Sequence, residues 1–173
     1  MASYPIPDIV NLVNLYAIAV DSRQWGLFDE VFTVDAVTDF GGGAAFSGLE
    51  TIRGLFAAIH DPFESTLHVT TNHHVRVDGA TATCLSYVHG RFIRDVGEGG
   101  AMFESTGWYD DALVLTGKGW RIANRRCRTV WWGGNPRVLQ TDPNVHVETV
   151  LNALHRDAGA GEVSHIAHLT GRG

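Results

Sequence analysis

The chain has 173 residues, 45 % of them hydrophobic and 18 % charged. That suits one domain with a packed core and excludes general disorder. A net charge of −6 argues against nucleic acid as the main partner, and no apolar stretch reaches the ~18 residues needed to cross a membrane. The first residues lack the basic and apolar regions of an export signal, so a cytoplasmic protein is expected. Cys84 and Cys127 can build neither a disulfide scaffold nor a four-thiolate zinc site. Lys118 is the sole lysine among 13 basic residues, which nearly removes Schiff-base chemistry.

In chain order, Ile9, Leu12, Val13, Tyr16, Ala19 and Val20 recur at steps of three and four and predict a helix over 8–20. A short helix over 24–32 and a strand over 34–40 follow, the strand ending at Gly41-Gly42-Gly43. Ser47-Gly48-Leu49-Glu50 has the form of a capping box opening a helix over 48–59. From 66 to 77 the residues alternate: Leu67, Val69, Thr71, His73, Val75 and Val77 fall on one face, and Thr66, His68, Thr70, Asn72, His74 and Arg76 on the other. Asp78-Gly79 is a hairpin turn, and strands over 80–94, 101–115 and 120–132 complete a meander. Helices first and strands later predict an α+β fold, with the helices packed on one face of a curved, mostly antiparallel sheet. Residues 1–135 would form this domain and 136–173 an extension, with a helix over 142–157 and a loose end over 158–173.

No G-x-S-x-G, P-loop, H-E-x-x-H or C-x-x-C motif is present. A metal centre is not expected. His73 and His74 point to opposite faces, and His68 and His74, on one face, lie roughly 20 Å apart at ~3.3 Å per residue. Four residues attract attention without deciding anything singly. Asp21 sits at a helix carboxyl end, where the macrodipole disfavours an anion. Alone it reads as a solvated aspartate in a helix-end turn, paired with Arg23. His68 reads as a satisfied strand histidine, Tyr16 as a core aromatic and Arg125 as half of a structural ion pair. The basic run Arg125, Arg126, Arg128 reads as ion pairing or a subunit contact.

Together these residues resemble a family pattern. Leu15–Asp21, Trp25–Ala36, Phe46–Gly54, Leu67–Asn72, Val75–Ala82 and Gly119–Arg125 are similar to stretches of the SnoaL-like branch of the nuclear transport factor 2-like fold, over about residues 6–135. The resemblance implies a cone-shaped α+β barrel with a pocket between sheet and helices. Scytalone dehydratase, bile acid 7α-dehydratase and hexachlorocyclohexane dehydrochlorinase, in the same fold, use an Asp–His dyad for elimination; Asp21 and His68 occupy the matching places. Tyr16 and Arg125 match the tyrosine and arginine that accompany it. Phe40 stands where the dehydratases carry a tyrosine, and His89 is an uncertain counterpart of their second histidine. The implied function is a cofactor-independent lyase, with His68 as base, Asp21 orienting it, and Arg125 or Tyr16 stabilising an oxyanion or leaving group. Trp25, Phe28, Phe40, Phe56, His89, Met102, Phe103, Trp108 and Trp131 are the expected contacts of a small hydrophobic or polycyclic substrate. An isomerase or cyclase of secondary metabolism, a ligand-binding protein and a non-catalytic β subunit of a ring-hydroxylating dioxygenase are the alternatives. A homodimer or homotrimer is implied.

Overall fold

The computed structural model describes residues 5–141 and 149–171. Helix α1 (Pro5–Asp21) leads into a single 3-10 turn (Trp25–Leu27) and the one-turn helix α2 (Phe28–Val31). Strands β1 (Phe32–Asp39) and β2 (Ala45–Ser47) precede α3 (Leu49–His60). Four long strands follow: β3 (Ser65–Asp78), β4 (Thr81–Ile93), β5 (Met102–Thr116) and β6 (Gly119–Gly134). The sheet order is β2-β1-β6-β5-β4-β3, antiparallel throughout except for the parallel pair β1–β6. The α+β architecture is the one the sequence predicts. No helix among the described residues is long and apolar enough to cross a membrane.

One face of α1 builds the core. Ile9, Leu12, Val13, Tyr16 and Val20 pack with Phe28, Phe32, Ile52, Phe56 and Leu113 against the concave face of the sheet. Each such side chain contributes roughly 1.5–3 kcal/mol when fully buried. Ile18, on the opposite side of α1, stays exposed.

Four local expectations need correction. Ser47 does not cap α3, because it belongs to β2; Gly48 is the cap, with φ of 88° and no side-chain bond. The alternation along β3 reverses at a bulge between Thr71 and His74, where Asn72 adopts φ of 52°. Thr66, His68 and Thr70 therefore face the helices before it, and Val75 and Val77 after it, so His68 and His74 lie on opposite faces. Of the helix expected over 142–157, the described residues show α4 (Leu154–Gly159), with Val150 and Leu151 outside any helix; Val145 and Val147 lie outside the described residues. The segment expected to be loose forms α5 (Ser164–Leu169). Asp110 of β5 caps it, accepting from the Ser164 and His165 amides at 2.6 and 3.1 Å, and His165 is sealed against His74 and Thr83 on the outer face of the sheet.

Candidate active site

α1 ends at Asp21 because the next residues turn back on it. The amides of Arg23 and Gln24 return to the Val20 and Ala19 carbonyls, and Arg23 takes φ of 54°. The Arg23 side chain does not pair with Asp21. Its guanidinium donates to the carbonyls of His60, at 3.1 Å, and of Phe63, tying the end of α1 to the end of α3.

Asp21 thereby faces β3 and meets three donors. Thr66 Oγ1 donates to Oδ1 at 2.8 Å, the His68 amide donates to Oδ2 at 2.7 Å, and His68 Nδ1 lies 2.7 Å from Oδ1. Burial works to raise the carboxyl pKa, but the bonds from the His68 ring, the His68 amide and Thr66 outweigh it and hold it below the usual carboxylate value. These donors also explain how an anion survives at the unfavourable end of a helix. A carboxylate only accepts, so Nδ1 carries the hydrogen and Nε2 of the neutral ring keeps its lone pair.

His68 lines a cavity of about 860 Å³ between the concave sheet and α1 and α3. Among the described residues Nε2 has no hydrogen-bond partner and is not sealed in the core, so it opens onto this space. Gly90 sits directly opposite on β4. A Cβ there would lie 3.1 Å from the Phe92 ring and 3.5 Å from His68 Cδ2, so the missing side chain keeps the imidazole accessible. A Gly90→Val variant is expected to fold, with kcat/KM lowered at least tenfold through crowding of His68; thermal melting and turnover together check this.

The other expected site residues divide. Tyr16, Phe40, Phe56 and Phe103 line the cavity with His68. Arg125 does not. It is 0 % exposed, forms a two-pronged pair with Asp111 (2.7 and 2.7 Å), and lies between the Tyr16 and Tyr109 rings at 4.2 and 4.1 Å. Burial opposes its charge, but the Asp111 carboxylate and the bonds to it raise its pKa further. Phe28 is core, stacked behind Tyr16 at 5.9 Å, and Trp25 packs edge-on to Phe28 at 5.7 Å. His89 alternates with Gly90 and so faces away from the cavity, bonded to Glu104 at 3.0 Å. Trp108 likewise alternates with Tyr109 and is buried off the cavity wall, Met102 is exposed at the start of β5, and Trp131 is half exposed, its ring against Gly133. Arg126 and Arg128 flank Asp39, at 3.9 and 2.7 Å.

Several wall residues escaped the sequence. Tyr109 and Cys127 come from β5 and β6, where strand parity alone would have placed them beside Asp111 and Arg125. Burial keeps both tyrosine hydroxyls protonated, despite Arg125, and pushes the Cys127 thiol up to about 12. His60, Phe63 and Phe92 close the side nearest His68; His60 lies just past the helix that the sequence predicts over 48–59, and nothing local marks it. Leu139, Thr141 and Thr149 contribute to the wall from the C-terminal segment.

Comparison with known proteins places this geometry. A SnoaL-like domain model matches residues 6–126. The uncharacterized protein Rv2910c of Mycobacterium tuberculosis is 31 % identical over 122 residues, covering 68 % of this chain and 80 % of the relative. A scytalone dehydratase candidate from Novosphingobium aromaticivorans superposes with a TM-score of 0.71 at 18 % identity, over 86 % of this chain and 92 % of the other. A type 2 hexachlorocyclohexane dehydrochlorinase, LinA, does so with a TM-score of 0.67 at 18 % identity, over 80 % and 94 %. At these identities the two structures establish likeness of fold.

Proposed function

The chain belongs to the SnoaL-like family, and we propose that within it this protein is a cofactor-independent lyase acting on a small hydrophobic ring compound. The observation that carries this reading is the Asp21–His68 pair, 2.7 Å apart, with the second imidazole nitrogen open to an apolar cavity. Dehydratase and dehydrochlorinase names among proteins of the same fold support it.

His68 Nε2 takes a proton from a ring carbon. The electrons of that C–H bond form a carbon–carbon double bond, and the pair of the adjacent carbon–X bond departs with the leaving group. Asp21 holds the tautomer and stabilises the imidazolium. The Tyr16 and Tyr109 hydroxyls are neutral donors in the cavity wall and serve the departing group. Arg125 acts through them: a cation over each ring withdraws electron density and strengthens the O–H as a donor. It is a positioning residue here.

The test is a panel of cyclic compounds bearing a halide or hydroxyl next to an activated C–H, followed by mass spectrometry. Loss of HX or water is expected with the wild type, and His68→Ala is expected to be slower by about 10²–10⁴-fold. Panel members that bind equally to both and emerge unchanged would make this a binding protein. A product of unchanged mass, formed only by the wild type, would make it an isomerase using the same base.

A further inference from the structure

The cavity holds a second imidazole with different surroundings. His60 ends α3, buried, its ring centroid 6.3 Å from that of His68. Its Nδ1 lies 2.9 Å from the Phe56 carbonyl oxygen, which only accepts, so Nδ1 carries the hydrogen and Nε2 the lone pair. The ring stacks on Phe56 at 5.3 Å and meets Phe63 edge-on at 5.9 Å, with Trp25 and Phe92 at 5.8 and 6.2 Å. Arg23 holds the His60 carbonyl from below.

Among the described residues Nε2 meets no hydrogen-bonding group and is not sealed, so it opens onto the cavity whose wall His60 forms. Unlike His68, this ring has no carboxylate behind it. Burial pushes its pKa down to about 4, against the Phe56 bond; the charges of His68 and Arg23 push the same way, and that of Asp21 opposes them. The ring therefore stays neutral at physiological pH, also when His68 bears a proton. It is a poor base and a fixed hydrogen-bond acceptor, set among Phe56, Phe63 and Phe92 at the apolar end of the cavity.

A substrate that fills the cavity strips water from that acceptor. If it brings no donor, the buried lone pair is left unpaired, which weakens binding by about tenfold or more. We propose that His60 Nε2 is the specificity-determining acceptor of this cavity: among ring compounds of suitable size, it selects those carrying a hydroxyl or N–H group. This rests on the lyase reading only in treating the cavity as a substrate site.

The experiment uses the full chain with 4-chlorophenol and 4-chloroanisole, which differ in the donor hydrogen, by titration calorimetry at pH 7. Wild type is expected to bind the phenol at least tenfold tighter. His60→Phe, which keeps an aromatic ring against Phe56, is expected to reduce that preference to about twofold or less without weakening chloroanisole binding. An unchanged preference in a folded His60→Phe protein, or no preference in wild type, overturns the proposal, as does failure of both probes to bind. Should His60→Phe not fold, the nitrogen-15 resonance of His60 Nε2 in wild type decides. It is expected to move with chlorophenol and not with chloroanisole, and a resonance indifferent to both overturns the proposal. His68→Ala is expected to keep the preference, so failure of the lyase reading leaves this result standing and failure here leaves the dyad standing.

Discussion

Asp21→Asn is expected to lower kcat/KM by about 10²–10⁴-fold while leaving a folded protein. The reason lies in what each oxygen does. Asp21 Oδ2 accepts from the His68 amide and Oδ1 accepts from Thr66 and from the His68 ring. An asparagine can satisfy the amide with its one oxygen, but its NH₂ then faces Nδ1. The imidazole answers by moving its hydrogen to Nε2, where the base needs a lone pair, and the ring becomes a donor pointing at the substrate. Thr66→Val, which removes one bond to the carboxylate and no tautomer control, is expected to cost less than tenfold. Steady-state kinetics on the substrate found by the panel, with circular dichroism as the fold check, separate these outcomes. There is a stability consequence too. The folded Asp21 pKa lies below its unfolded value, so the pair's contribution is present above pH ~4 and is lost as pH falls through the folded value. Wild type is expected to lose more stability on acidification than Asp21→Asn.

Period and turn chemistry were enough to place the long elements, since α1 and the β3–β6 meander are held by patterns that span many residues. The Asp21–His68 pairing is legible by resemblance, and the reading of Asp21 as a solvated aspartate fails for a reason no composition reveals: three donors from a strand 45 residues on converge at the helix end. Face assignments failed where one residue broke the parity. Asn72 carries no signal distinguishing a bulge from a regular strand position, yet it puts His74 on the outer face beside His165. His60 was invisible because the end of α3 meets β3 and β4 only in three dimensions. Arg125 showed the opposite difficulty. The sequence allows both a site residue and half of a structural pair, and only the position of Asp111, directly across from it in the β5–β6 register, shows which group it contacts.

That pair sets the largest expected change in stability. Asp111→Ala should cost about 3–5 kcal/mol, because it leaves the Arg125 guanidinium charged, dry and without its two-pronged partner. For a chain of this length that is a fall in melting temperature of roughly 6–20 °C. Arg125→Met alone is expected to be costly as well, since it strands the Asp111 carboxylate and empties the slot between the Tyr16 and Tyr109 rings. The double variant Asp111→Leu with Arg125→Met should recover most of the loss, because it removes both desolvated charges and fills the space with apolar atoms. Activity is where the double variant should not recover: if Arg125 strengthens the two tyrosine hydroxyls through their rings, a protein as stable as wild type will still turn over more slowly, with KM less affected than kcat. Full activity in the double variant would reduce Arg125 and Asp111 to structural cement, and would leave Tyr16 and Tyr109 to act unaided.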